Sequence, residues 1–153
     1  MKKILSIAVL ALLFPVMACA DSIPVLDNAG LTDILEKNRG KVVILNFFAT
    51  WCPPCRVELP ELRQLRDAFP EKELTIIGLS VDEEESPVPD FIKEAGVNYP
   101  VYMADKSITD RFAIQSVPHN VFFAPSGKME VSEPGMAETR ILKEVVNDLA
   151  THK

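Results

Sequence analysis

The residues that could do chemistry in this chain stand together in "FFATWCPPCRVELPEL", positions 47–62. Two of the three cysteines, Cys52 and Cys55, lie there two residues apart, directly after an apolar run and directly before a helical pattern. A thiol at the start of a helix faces the positive end of the helix dipole, which favours thiolate over thiol, so Cys52 reads as an attacking nucleophile. Cys55, one turn on along the same face, can close a disulfide with Cys52 while shielded from outside partners, which makes it the resolving thiol. Two other uses compete with this one. A purely structural disulfide over so short a loop would constrain the unfolded chain little. A closed zinc site wants four ligands, and the chain offers only His119 and His152 besides. The acidic run at 82–85 reads as a solvated loop rather than as metal ligands.

The flanking patterns say what holds the pair in place. "KVVILNFFA", 41–49, is a nearly continuous apolar run rich in β-branched and aromatic residues, the signature of a strand buried on both faces. From Pro53 to about Phe69 a helical stripe of Val57, Leu59, Leu62, Leu65 and Ala68 follows, with Pro60 expected to kink it. Upstream, 31–40 predicts a short helix with Thr32 near its start and Gly40 at its end. Downstream come a second buried strand at 73–82, a short helix at 89–94 ended by Gly96, an extended segment at 99–105 and a short helix at 107–114. A hairpin of 119–125 and 128–133 turns at Ser126-Gly127, and 138–150 closes the chain with Ile141, Leu142, Val145, Val146 and Leu149 on one helix face. Strands separated by helices run parallel and a terminal hairpin runs antiparallel. The fold class is therefore α/β, a central mixed sheet flanked by helices.

The length of 153 residues suits one domain, and no repeat, low-complexity tract or linker divides it. The first twenty residues, "MKKILSIAVLALLFPVMACA", stand apart: two lysines, then fifteen residues from Ile4 to Ala18 without a charge, then small residues. That is the pattern of an export signal, and the run is short of the roughly 20 residues a membrane-spanning helix needs. Residues 1–20 are thus a signal peptide or, since "VMAC" resembles a lipobox, a lipoprotein signal that would leave a lipid anchor on Cys19. Residues 21–153 form the working domain, in the periplasm or cell envelope. In such an oxidising compartment the remaining pair, Cys52 and Cys55, can close on itself. Removing the two lysines of the signal takes the formal charge from −6 to −8. So acidic a chain is a poor match for nucleic acid, whose phosphates call for basic patches.

"NFFATWCPPC" at a strand-to-helix junction resembles the thioredoxin superfamily, and within it the envelope-located TlpA/ResA branch. The resemblance spans nearly all of residues 21–153, including "SVPHNVFFAPSGKM" and a β-α insertion near 83–105 after the second core strand. It implies a thioredoxin fold and dithiol-disulfide exchange. Where cytoplasmic thioredoxins carry a buried aspartate, this chain has Asn46, which cannot ionise; the envelope branch instead uses a glutamate three residues after the second cysteine, here Glu58. At i, i+3 from Cys55, Glu58 shares its helix face, and a carboxylate drawn out of water could take or return the Cys55 proton near neutral pH; a solvated helix glutamate is the alternative reading.

The resemblance also implies that Pro118 is the family's cis-proline, with the backbone of Val117 before it pairing with a substrate strand. Trp51 would line the lip of the site, although core packing is the ordinary use of an aromatic. His119 stands where the family usually has Thr or another small residue, and reads as a surface or supporting histidine without a catalytic role. The surface around Trp51, Val117 and His119 is where partner choice would be made.

The direction of electron flow follows from Pro53 and Pro54. Both lack an N–H, so the first turn presents fewer donors to a Cys52 thiolate; less stabilisation of the reduced form makes a more reducing couple. The sequence thus predicts a protein-disulfide reductase. A disulfide oxidase or isomerase using the same cysteines, and a non-catalytic binding module, are the alternatives. The resemblance implies protein disulfides as substrates, apocytochrome c among them through cytochrome c maturation, and a membrane thiol-disulfide carrier as electron donor. The redox-active cysteine pair serves in place of a cofactor, and no nucleotide-binding or metal-ligating motif is present.

Overall fold

The computed structural model describes residues 22–151, so the stretch read as an export signal, Cys19 and His152 lie outside the described residues. Six strands, β1 (Val25–Leu26), β2 (Val42–Phe48), β3 (Leu74–Ser80), β4 (Val101–Ala104), β5 (His119–Phe123) and β6 (Met129–Pro134), form one sheet in the order β1-β4-β3-β2-β5-β6. At its centre is β2 (Val42–Phe48), all seven of whose residues are buried, as the apolar run requires. It pairs in parallel with β3 (Leu74–Ser80), and β3 with β4 (Val101–Ala104), the crossovers being α2 (Pro53–Ala68) and α3 (Val88–Glu94). On its other side β2 pairs antiparallel with β5 (His119–Phe123), which turns back as β6 (Met129–Pro134). The segment 83–105 thus supplies α3 and then β4. The remaining helices are α1 (Asn28–Lys37), α4 (Lys106–Arg111) and α5 (Thr139–Leu149).

Alternation along β2 divides the interior into two cores. Ile44 and Phe48 face a cluster with Leu59, Leu62 and Leu65 of α2 and Leu142, Val146 and Leu149 of α5. Val43, Leu45 and Phe47 face the other cluster, with Leu31 of α1 and Ile108 of α4. Arg66 reinforces the first core by donating to the carbonyls of Leu74 and Phe69, tying the end of α2 to the start of β3.

Several local expectations change. Helix α1 begins before Leu31, because Asp27 caps it, its carboxylate accepting from Gly30 N at 2.8 Å; Thr32 is inside the helix, its hydroxyl donating to Asn28 O. The strand β1 (Val25–Leu26) had no signal in the sequence: two residues are too few to show a period, and only pairing with Met103 and Ala104 makes them a strand. In α2 the inward stripe is Cys55, Glu58, Leu59, Leu62 and Leu65, whereas Val57 is 56% exposed and Ala68 is exposed. Hydrophobicity placed Val57 inside; helical geometry gives that position to Glu58 instead. In α5, likewise, Ile141 is exposed while Leu142, Val146 and Leu149 are buried.

Candidate active site

Strand β2 delivers the chain to a short loop, Ala49–Trp51, and Cys52 is the N-cap of α2. Proline at the first helical position suits this junction, since its missing N–H would have no partner there. Cys52 and Cys55 are joined as a disulfide with their Cα atoms 5.3 Å apart. The one backbone donor that the described residues bring to Cys52 Sγ is the Cys55 N–H, at 3.3 Å. Val117 O lies 3.5 Å from the same sulfur. The Val117–Pro118 peptide bond is cis, and Pro118 O accepts from Gly135 N at 2.8 Å.

The loop before Cys52 is braced from both sides. Asp82, just past the end of β3, accepts from Thr50 N at 3.0 Å and Thr50 Oγ1 at 2.7 Å, and also from Ser80 Oγ at 2.7 Å. Arg56 donates to Thr50 O at 3.2 Å, its guanidinium lying over the Phe91 ring at 4.6 Å. Asp82 is therefore a structural anchor rather than a member of a solvated loop, a role hidden in the sequence because Thr50 lies 32 residues away. Held this way, Trp51 is 68% exposed. A groove of about 470 Å³ opens between Trp51 and Val117, with Val81, Asp82, Glu83 and Lys106 also along it.

Behind the disulfide lies a buried polar cluster. Glu58, one turn after Cys55, is 0% exposed. Its Oε1 accepts from Asn120 Nδ2 at 2.7 Å and from Ala137 N at 3.0 Å, and its Oε2 accepts from Asn46 Nδ2 at 2.8 Å. Asn46 Nδ2 also reaches Asn120 Oδ1 at 2.9 Å. Burial pushes the Glu58 carboxyl above its ordinary range, and the donors from Ala137, Asn120 and Asn46 pull it back in part. Burial, the larger influence, leaves the carboxyl easier to protonate than a solvated glutamate.

Asn120 was not singled out from the sequence, yet the signal existed: like Asn46 in "VVILNFF", it is an amide inside an apolar strand, and a buried amide needs partners. Asn46 and Asn120 face each other across the β2–β5 ladder. His119 is not part of the exposed surface. Adjacent to Asn120 on the strand, it points to the opposite sheet face, 7% exposed, edge-on to Phe47 and 2.9 Å from Ser132 Oγ. Burial lowers its pKa, an effect that Glu133 opposes. The exposed rim is left to Trp51, Pro53, Pro54 and the partly exposed Val117. Among the described residues no group of three or more His, Cys, Asp or Glu is placed to hold a metal ion.

Comparison with known proteins gives this geometry relatives. The AhpC/TSA family model matches residues 19–132. Thiol-disulfide oxidoreductase ResA of Oceanobacillus iheyensis is 35% identical over 117 residues, covering 76% of this chain and 61% of that protein. Thiol-disulfide oxidoreductase ResA of Bacillus subtilis is 30% identical over 122 residues, covering 79% and 68%. The chain thus spans roughly two thirds of the length of these relatives. Among solved structures, a thiol:disulfide interchange protein of the thioredoxin family from Chlorobium tepidum superposes with a TM-score of 0.70 at 30% identity, over 75% of this chain and 83% of that one. The chain thus belongs to the AhpC/TSA family and has a thioredoxin fold, its cysteine pair standing where the central strand of the mixed sheet gives way to a helix.

Proposed function

We propose that this protein is an extracytoplasmic thiol-disulfide oxidoreductase that reduces protein disulfides. The observation that carries the reading is the Cys52–Cys55 disulfide at the start of α2, next to the exposed Trp51 and with the buried Glu58 one turn behind it. In the reduced protein the Cys52 thiolate attacks a substrate disulfide. One substrate sulfur leaves as thiolate and a mixed disulfide forms. Cys55 then attacks Cys52, its proton passing to Glu58; the second substrate sulfur leaves, and two electrons have moved from the cysteine pair to the substrate. A membrane thiol-disulfide carrier returns the electrons. Val117 and Pro118 shape the edge on which the substrate docks, and Trp51, Pro53 and Pro54 form the rim.

The reductive direction is supported by Pro53 and Pro54, which remove two potential donors from the first turn and leave the Cys55 N–H to face Cys52 Sγ. The names of the ResA relatives support the exchange chemistry. Apocytochrome c is the substrate we favour, and residues 1–20 are the segment that takes the domain to the envelope, as a cleaved signal or through a lipid on Cys19. The mass of the protein recovered from the envelope fraction distinguishes these two fates.

Two measurements test the reading. A Cys55→Ala protein should accumulate a covalent adduct with an envelope protein through Cys52; recovery of the free thiol alone would count against exchange. The reduction potential of the pair should fall near the thioredoxin value of roughly −270 mV, whereas a value near about −120 mV would make the protein an oxidant.

A further inference from the structure

The cluster around Glu58 contains polar capacity that the hydrogen bonds above do not use. Three buried side-chain polar atoms have no hydrogen-bond partner among the described residues, and two of them, Asn46 Oδ1 and Tyr99 Oη, belong to this region. Glu58 Oε2 accepts a single hydrogen bond there, from Asn46, although a carboxylate oxygen can accept two. The orientation of the Asn46 amide is fixed chemically. Turned over, its oxygen would face Glu58 Oε2 and Asn120 Oδ1, both acceptors.

Tyr99 reaches this region because of Gly78. Gly78 is the ladder partner of Asn46, so a side chain there would stand beside the Asn46 side chain on the same sheet face. The Tyr99 ring shares that space with Val101 and Phe48: a Cβ on Gly78 would meet Val101 Cγ2 at 3.0 Å, Phe48 Cε1 at 3.3 Å and Tyr99 Cε2 at 3.4 Å. Tyr99 and Glu58 also sense one another, since the phenol is pushed upward first by burial and then by the Glu58 charge. Polar groups that lie close in a dry core without touching are commonly joined by one water molecule, which typically makes about three hydrogen bonds.

We propose that Tyr99 Oη, Asn46 Oδ1 and Glu58 Oε2 bind a buried water molecule, and that this water gives Glu58 a full set of hydrogen bonds in both of its protonation states. With Glu58 ionised, the Tyr99 O–H donates to the water, and the water donates to Asn46 Oδ1 and Glu58 Oε2. With Glu58 neutral, the proton on Oε2 donates to the water, and the water donates to Asn46 Oδ1 and Tyr99 Oη. Both arrangements keep Glu58 Oε2 and Asn46 Oδ1 hydrogen-bonded, and only the water and the phenol O–H must turn between them; the neutral one leaves the phenol hydrogen without an acceptor, which favours the ionised carboxyl. No charge is left on Tyr99. Tyr99 is thus a positioning residue: it lets the carboxyl take and release a proton without moving its side chain.

The inference rests on the proton-carrying role of Glu58 proposed above, and its test separates the two. In the disulfide form the cysteines do not titrate, which leaves Glu58 to be followed through its carboxyl 13C resonance, assigned by its absence in Glu58→Gln. The groups that face Glu58 are Asn46 from β2, Asn120 from β5, the Ala137 N–H ahead of α5, Tyr99 ahead of β4 and the cysteine pair on its own helix. Glu61, one turn on, is bound to Thr139. Tyr99→Phe keeps the ring and removes the hydroxyl. The expected result is a Glu58 midpoint moved up by about half to one pH unit, as for a carboxylate that loses one donor, together with a crystal structure of the wild type that contains the water and one of Tyr99→Phe that does not. A raised wild-type midpoint that Tyr99→Phe leaves in place, or a dry wild-type cluster, overturns the water site and keeps the role of Glu58. A wild-type midpoint near the ordinary value of about 4.3 overturns that role itself.

Discussion

Asn46 holds Glu58 and Asn120 at once, its amide nitrogen lying 2.8 Å from Glu58 Oε2 and 2.9 Å from Asn120 Oδ1. One neutral side chain on the central strand thereby fixes the carboxyl behind the disulfide and the strand that follows Pro118. An amide does this where a carboxylate could not, because it offers two donors and sets no second ionisable group against Glu58.

Asn46→Asp should accordingly be costly in proportion to ionisation. It replaces both donors with acceptors and sets a second carboxylate against Glu58, which pushes the Glu58 pKa further up. A loss of about 2–4 kcal/mol at pH 7 is expected, shrinking towards pH 4 as the carboxyls take up protons. Urea denaturation of the oxidised protein at the two pH values measures it, and an equal loss at both would sink the electrostatic account.

Glu58 should leave its own mark on stability. Its folded-state pKa is raised by burial, so the folded protein holds this proton over a pH range in which the unfolded chain has released it. Wild-type stability therefore declines as pH rises from the ordinary carboxylate value to the raised native one, by at most about 1.4 kcal/mol per pH unit of separation. Glu58→Gln lacks that decline. The stability of Glu58→Gln relative to wild type should climb through this window and then level off; parallel curves from pH 4 to 8 would show that Glu58 is not perturbed.

His119 works in the opposite sense. Its pKa is lowered by burial, so the stability it contributes is present above the unfolded value of about 6.5 and is lost as pH falls through the folded value. His119→Gln should flatten the wild-type decline below about pH 6.5. An unchanged slope in that variant would mean that the imidazole titrates as freely as it does in water.

Asp82 tests the bracing of the loop. Asp82→Ala removes the acceptor of Thr50 N, Thr50 Oγ1 and Ser80 Oγ, at an expected cost of about 1–3 kcal/mol. Trp51 is the only tryptophan, so its fluorescence anisotropy reports the loop directly. The anisotropy should fall in Asp82→Ala; a stability loss without that fall would make Asp82 an ordinary structural residue.

The corrected face of α2 has its own check. Leu62→Ala, within the first core, should cost about 2–5 kcal/mol. Val57→Ser should change stability by no more than about 0.5 kcal/mol, because Val57 faces solvent. A large loss on Val57→Ser under the same denaturation conditions would restore the inward placement suggested by its hydrophobicity.

Most of the architecture was legible in local pattern. The buried strand at 42–48, the helix from Pro53, the second strand, the terminal hairpin and the last helix each announce themselves through a period or a turn signal extending over many residues. The position of Cys52 and Cys55 at a strand-to-helix junction is equally local, since it follows from two adjoining patterns. Helix boundaries and facing were less legible. Asp27 caps α1 outside the apolar repeat, and Val57, apolar and counted in the stripe of α2, faces solvent, while Glu58 is found on the Cys55 face where its i, i+3 spacing and the resemblance put it.

What the sequence determined by itself, then, was the cysteine pair, its helix, the alternation of strands and helices and the amide that stands in place of an acid at position 46. Only the tertiary structure decided which polar groups meet. Glu58 and Asn120 are 62 residues apart, Thr50 and Asp82 are 32 apart, and Ala137 reaches Glu58 across 79. Periodicity records which side of an element is buried, but a hydrogen bond between elements depends on strand register and on the packing of α2 against the sheet. Those are set by the whole core at once, which is why the environment of Glu58 emerges only when β2, β5 and α2 are brought together.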